Sequence, residues 1–417
     1  MKKIYLFVVT FLLSLTSLGQ NLKRKCVTYE LDAKKLKENL AYQQRRVEIE
    51  NSAKNHNPTN NYRAGNVLTI SVVVHVIHNG EPVGTGQNIS DAQITSQIEI
   101  LNKDFRRLNS NLLPANHVFY PLVADCEIEF CLAAKDANGN STTGITRYNL
   151  NKAAWTVDDF DAQVKPSTAW DRTKYLNLWV TTFDGDDAST LGYATMPGTN
   201  DVTDGVVIAA KYFGLSGNAN APFDLGRTAT HEIGHYLDLA HIWGDADCGD
   251  DQVADTEPQK AESSGCPTFP SNANNGCSGA NGEMFMNYLD YSDDNCMSMF
   301  TAGQKNKMRA ALTGARASLL TTNVCANATN TEYVASRNVQ VYPNPAENQI
   351  TVKLHDINKY EQISLTDING KVLITKIEIQ NIDATFVLNV DSLPNGYYIL
   401  LLSGESGVQS VPLTIIK

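Results

Sequence analysis

The tightest constraint on this 417-residue chain is one short run, His231-Glu232-Ile233-Gly234-His235-Tyr236-Leu237-Asp238-Leu239-Ala240-His241. On a helix of 3.6 residues per turn, His231 and His235 point to the same side. Two imidazoles so placed reach one metal ion, at about 2.0–2.1 Å for zinc. His241 supplies a third ligand only if the helix stops first. A continuous helix carries it about 600° round from His235, onto the far side. The stop is expected near Asp238, a residue type that tolerates the left-handed conformation. Any fold of this chain must therefore end a helix beside a metal and turn the backbone back toward it.

Three protein ligands leave a fourth position for water, which marks a catalytic zinc site rather than a structural one. Glu232 lies beside that open position, placed to take a proton from the water. A chance HExxH is the alternative reading; the third histidine and the export signal described next weigh against it.

Lys2 and Lys3, the apolar run Ile4 to Leu13, and the small residues Ser17 and Gly19 read as a signal peptide over residues 1–19. Export permits disulfides. No later stretch approaches the roughly 20 apolar residues of a bilayer crossing, so no integral span is expected after signal removal. A net charge of −11 argues against a nucleic-acid partner. Residues 20–63 run the other way, with ten Lys and Arg against five Asp and Glu. A basic leader before an acidic body suggests a propeptide, residues 20–62, lying over an acidic cleft. The alternative is a solvated helical arm, since Leu31 to Glu50 is rich in helix formers.

Val67 to Ile77 is a β-branched run that predicts a buried strand. Ser90 opens a helix with Gln93 at the capping-box position, and Ile94, Ile98, Leu101, Phe105 and Leu108 share one face. Further strands are expected at 126–133, 175–182, 191–195 and 205–210. This order predicts an α/β (α+β) body with a mixed twisted sheet. From Asp245 to Asn287 regular elements are scarce, and Cys248, Cys266, Cys277 and Cys296 lie in or beside that stretch as staples. A helix is expected to resume over 301–320. Residues 326–334 read as a linker. Seven short strands then follow, at 339–342, 349–354, 361–367, 371–378, 384–390, 397–403 and 408–416. Turn signals at Asn369-Gly370 and Pro394-Asn395-Gly396 make this a small all-β sandwich.

The histidine run, with Asp238 where the consensus HExxHxxGxxH has glycine, resembles the metzincin signature. Together with His241-Ile242-Trp243-Gly244, the Cys-rich loop and Met286-Asn287-Tyr288, it is similar to the pappalysin (cytophagalysin) metalloproteases over residues 63–325. The resemblance implies a secreted zinc endopeptidase acting on protein or peptide substrates. It implies Met286 as the hydrophobic floor under the metal and Tyr288 as the oxyanion-stabilising hydroxyl. It pairs Cys248 with Cys277 and Cys266 with Cys296, leaving Cys126, Cys131 and Cys325 unassigned. Cys126 and Cys131 are too far apart on one straight strand to bridge.

The oxygen-rich run 250–256 suits calcium, and relatives point to Asp251, the Val253 carbonyl and Thr256 as its ligands. Cys26, in the basic leader, is a candidate switch whose thiolate fills the water position; its alternative is an odd thiol lost with the leader. By the same resemblance Asp294 lies in the pocket for the residue after the scissile bond, where an acid favours Arg or Lys. Gly192-Tyr193-Ala194 is a candidate edge strand for extended substrate. Maturation is expected near Tyr62-Arg63, in a polar stretch open to nicking.

Val341-Tyr342-Pro343-Asn344-Pro345, Asp367-Ile368-Asn369-Gly370-Lys371 and Leu393-Pro394-Asn395-Gly396-Tyr397-Tyr398 resemble the type IX secretion sorting domain over 335–417. This implies the type IX machinery as a partner and a released or surface-attached location. A carbohydrate- or substrate-binding sandwich is the alternative. For the whole chain, the alternatives to a protease are a zinc amidase and a catalytically silent secreted adhesin.

Overall fold

The computed structural model describes residues 23–54, 67–215, 217, 219–271, 276–277, 279, 281–321, 324–325, 339–354, 362–367, 371–378, 385–404 and 407–417. The expected signal segment, the Tyr62-Arg63 site and the linker lie outside the described residues.

Strand β1, Leu68–His78, is the spine of the body. Its first half pairs in parallel with β2, Ile128–Leu132, and its second half with β3, Ile145–Asn149. On its other side lie β4, Leu176–Thr181, and β6, Val206–Ala209, both parallel. The edge is β5, Gly192–Ala194, antiparallel to β6. The sheet is therefore mixed, in the order β2-β1-β4-β6-β5 with β3 also on β1. Helices on its face explain why β1 reads as a continuous apolar run rather than an alternating one.

Helices α1, Thr28–Glu38, and α2, Leu40–Lys54, precede the sheet, and helix α3, Asp91–Phe105, begins where Ser90 accepts the Gln93 N–H at 3.1 Å. Helix α3 buries Ile94, Ile98, Leu101 and Phe105 against the sheet and the helix Arg227–Tyr236, which carries the first two histidines of the run. Leu108 departs from the expected face. The helix ends at Phe105, Arg107 turns the chain at φ 53°, and Leu108 is exposed. The sequence reading also missed β3, whose residues are only half-buried and carry no alternating signal. The later helix is shorter than expected: Ala302–Thr313 is helical, and a separate turn, Ala317–Leu320, follows Gly314.

In the C-terminal region, β7 (Val339–Tyr342), β8 (Gln349–Leu354) and β11 (Thr385–Asn389) form one sheet. The second contains β9 (Gln362–Asp367), β10 (Val372–Glu378), β12 (Gly396–Gly404) and β13 (Gly407–Ile415). All pairs are antiparallel, around a core of its own that includes Ile350, Val352, Leu365, Leu400 and Leu413. No helix among the described residues is long and apolar enough to cross a membrane.

Candidate active site

The active-site helix is Arg227–Tyr236, and every residue in it is buried. It ends beneath the site: Leu237 caps it and Asp238 takes φ 79°, the left-handed turn that brings the chain back. His231 Nε2 and His241 Nε2 each stand 3.1 Å from His235 Nε2.

Each imidazole faces an acceptor through its other nitrogen. His231 Nδ1 is 2.7 Å from Tyr288 O, His235 Nδ1 is 2.7 Å from Leu239 O, and His241 Nδ1 meets Asp245 Oδ1. These acceptors put the single ring proton on Nδ1. Three Nε2 lone pairs then confront one another, which is repulsive unless a cation sits among them. Four ligands about 2.0–2.1 Å from a tetrahedral ion lie about 3.3 Å apart, so the spacing fits. Burial pushes His231 and His235 well below the usual imidazole range, with the neighbouring rings adding to it, and keeps both in the neutral ligating form.

Cys26 completes the cluster: its Sγ and the three imidazole nitrogens lie within 4.8 Å of one another, all buried. The leader reaches this point by running along the edge strand. Leu191 N donates to Lys25 O at 2.9 Å, and Cys26 bridges to Gly192 in parallel. Gly192 lets this edge strand pack closely on β6 and the active-site helix, since a Cβ there would meet Val207 O at 2.9 Å and Glu232 Cγ at 3.0 Å. Cys26 Sγ lies 3.3 Å from Glu232 Oε2, and Thr28 Oγ1 donates to the same oxygen at 3.0 Å. Burial pushes Glu232 up to about 8 and the Cys26 thiol well up; a bound cation acts on both in the opposite sense.

Two residues upstream, Arg24 enters a closed pocket. Its guanidinium reaches Asp294 Oδ1 at 2.6 Å and Thr228 Oγ1 at 3.3 Å, and lies over the Phe223 ring. Asp294 is held from behind by the Leu225 and Arg227 N–H groups, at 2.9 and 3.1 Å.

The structure corrects the expectations for Tyr288 and Met286. Tyr288 is fully buried below the helix, where its hydroxyl donates to Asp104 Oδ1 at 3.0 Å. That hydroxyl is spent in the core. The tyrosine facing the imidazoles is Tyr291, with its ring centroid 5.7 Å from His231 and 5.0 Å from His241. Its hydroxyl donates to Cys26 O at 3.2 Å. Met286 packs in the core, its carbonyl taking the Ser298 N–H. The side chain pressed on the active-site helix at Gly234 is Leu289, where a glycine Cβ is 2.9 Å from Leu289 Cδ2. Floor and tyrosine thus keep a two-residue spacing but sit three residues later than expected. The repeated pattern Met-Asn-Tyr-Leu-Asp-Tyr at 286–291 held both registers. Trp243, also unassigned from the sequence, stacks on His241 at 4.3 Å.

Asp251, Val253 and Thr256 converge. Thr256 Oγ1 is 2.7 Å from Val253 O and 2.9 and 3.0 Å from the two Asp251 carboxylate oxygens. One hydroxyl proton cannot serve three acceptors, and the crowding suits a hard cation. Cys248–Cys277 and Cys266–Cys296 are both formed. A third bridge, Cys131–Cys325, went unassigned in the sequence; among the described residues Cys26 and Cys126 are free.

A helix ending under three convergent imidazoles, a glutamate beside them and an edge strand above define a metal-dependent hydrolase of metzincin type. Residues 158–313 match the M43 peptidase family, described as pregnancy-associated plasma protein-A, and residues 340–417 match the secretion system C-terminal sorting domain. The extracellular metalloprotease of Verticillium alfalfae is 32% identical over 62% of this chain and 80% of its own length. Mature mirolysin from Tannerella forsythia, solved with a cleaved peptide, is 44% identical with a TM-score of 0.56, covering 61% of this chain and 96% of that one. A promirolysin point mutant from the same organism is 40% identical with a TM-score of 0.63, covering 72% and 97%. The chain belongs to the M43 pappalysin family of metalloendopeptidases and is a secreted metalloprotease with a type IX sorting tail. Membership sets aside the silent adhesin.

Proposed function

We propose that this chain is the zymogen of a zinc endopeptidase that cleaves before Arg or Lys. The observation that carries it is the leader's own placement, with Arg24 on Asp294 and Cys26 among the three imidazoles. An arginine in that pocket is what a substrate would offer on the leaving side of the scissile bond.

His231, His235 and His241 would hold zinc, which supplies Lewis acidity to a carbonyl and lowers the pKa of water. Glu232 takes the proton from the attacking water and later gives one to the leaving amine. Tyr291 donates its hydroxyl to the oxygen on which negative charge develops, as it now donates to a backbone carbonyl in the cleft. β5 supplies the extended edge for substrate backbone. Residues 20–62 keep the enzyme latent, with Thr28 and Cys26 both on Glu232. Asp251, the Val253 carbonyl and Thr256 would hold a structural calcium ion, and residues 335–417 would engage the type IX machinery.

The test is digestion of a peptide library by the self-processed protein, read by mass spectrometry, with and without a zinc chelator and beside Glu232→Ala. Cuts before Arg and Lys that vanish in both controls support the reading. Chelator-insensitive cleavage, or cuts without a basic preference, overturn it.

A further inference from the structure

The leader makes a second buried contact, far along the chain from Cys26. Tandem arginines on helix α2, Leu40–Lys54, reach the turn that ends the active-site helix. Arg45 Nε donates to Gly198 O at 2.8 Å. Arg46 Nη1 donates to Pro197 O at 3.2 Å and to Asp238 Oδ1 at 2.5 Å. The Arg46 and Asp238 side chains are 9% and 1% exposed. Gly198, at φ 103°, meets Tyr42, Arg46 and Ile49, which share one face of α2.

Asp238 is where the family signature has glycine, and it keeps the left-handed backbone that glycine would favour. A carboxylate here is costly to bury without a partner. Its other oxygen, Oδ2, has no hydrogen-bond partner among the described residues. The nearby cations are engaged elsewhere: Arg316 holds Asp204, Tyr236 O and Thr195 O, and Lys307 donates to Asp251 O. Among the described residues, Arg46 is the side chain that hydrogen-bonds this carboxylate.

We propose that Asp238, with the Pro197 and Gly198 carbonyls, is a guanidinium-binding site separate from the metal centre, and that α2 is its ligand. Arg46 in that site is a second latch on the zymogen, independent of Cys26. The site lies on the mature body, so it continues to recognise this helix after the chain is cut. Release of the leader then needs loss of Arg46 from Asp238 in addition to the departure of Arg24 from Asp294 and of the thiol from the imidazoles.

The proposal rests on reading residues 20–62 as a propeptide. Arg46 leaves with it, so Arg46→Ala yields a mature enzyme of unchanged sequence. Full-length wild type, Arg46→Ala, Arg46→Lys, Asp238→Asn and the Arg46→Ala/Asp238→Asn double variant are followed for the onset of peptidase activity. Arg46→Ala is expected to mature at least about tenfold faster, as is usual when one partner of a buried charge pair is removed. Arg46→Lys should fall between, and the double variant should be no faster than the faster single. Adding Cys26→Ala should multiply the effect of Arg46→Ala. Maturation of Arg46→Ala at the wild-type rate overturns the latch alone. A wild-type chain that never gains activity overturns the propeptide reading instead. If Arg46→Ala does not accumulate, Arg46→Lys and Asp238→Asn decide by the same comparison.

Discussion

Arg24 Nη2 stands 2.6 Å from Asp294 Oδ1, with the two side chains 1% and 0% exposed. A charge pair this enclosed is asymmetric. Made, it roughly offsets its own desolvation; broken by loss of one partner, it leaves a buried charge alone. In the proposed reading, Asp294 is expected to favour a cation in place of Arg24 after the leader departs.

Replacing Asp294 by Asn should lower kcat/KM for peptides with Arg after the scissile bond by about 30-fold or more, since removing one member of a buried pair costs about 2–5 kcal/mol. Peptides with Leu at that position should change far less. Paired kinetics on the two peptides check this, and an unaltered Arg-to-Leu ratio would count against the pocket assignment.

The roles proposed for Tyr291 and Tyr288 predict different effects of removing each hydroxyl. Tyr291→Phe should reduce kcat by about 10²–10³, the usual effect of losing an oxyanion donor. Tyr288→Phe should leave kcat of the folded protein within a few fold. It should lower unfolding stability by about 1–3 kcal/mol, because Asp104 loses a buried donor. Reversed outcomes would return the oxyanion role to Tyr288.

Asp104 gives a pH signature. Burial pushes its carboxyl up to about 6, with the Asp294 charge adding to it, against the pull of Arg227, Thr230 and Tyr288. The folded state thus holds this proton more tightly than the unfolded chain, whose aspartate titrates near about 3.9. Stability from this group is full below about pH 4 and is lost as pH rises through about 6. Relative to Asp104→Asn, the wild-type protein should therefore lose about 1 kcal/mol between pH 5 and pH 8. Urea unfolding of both proteins at each pH checks the sign, and a relative gain for wild type contradicts it.

Calcium removal should destabilise the loop around Asp251. At saturating calcium the linkage is worth about 2–3 kcal/mol, or about 5 °C in melting temperature for a body of this size. Melting with calcium and with a calcium-selective chelator measures it. Thr256→Val should abolish the difference; equal melting temperatures in wild type would remove the calcium assignment.

Local periodicity and residue chemistry were enough for much of this protein. The helical placement of His231 and His235, the stop before His241 at Asp238, the Ser90 cap and the main strands all depend on interactions within a few residues. Such interactions are present in the sequence itself. The pairing of Cys131 with Cys325, 194 residues apart, is not, because it depends on where β1 carries its neighbours. Nor is the choice between Tyr288 and Tyr291, which lie in one loop and differ only in which way the backbone turns each ring. Arg24 and Arg46 likewise look like ordinary basic residues until folding buries each against a carboxylate more than 190 positions away. Which long-range partners meet is settled by packing, since no local preference distinguishes one buried acid from another.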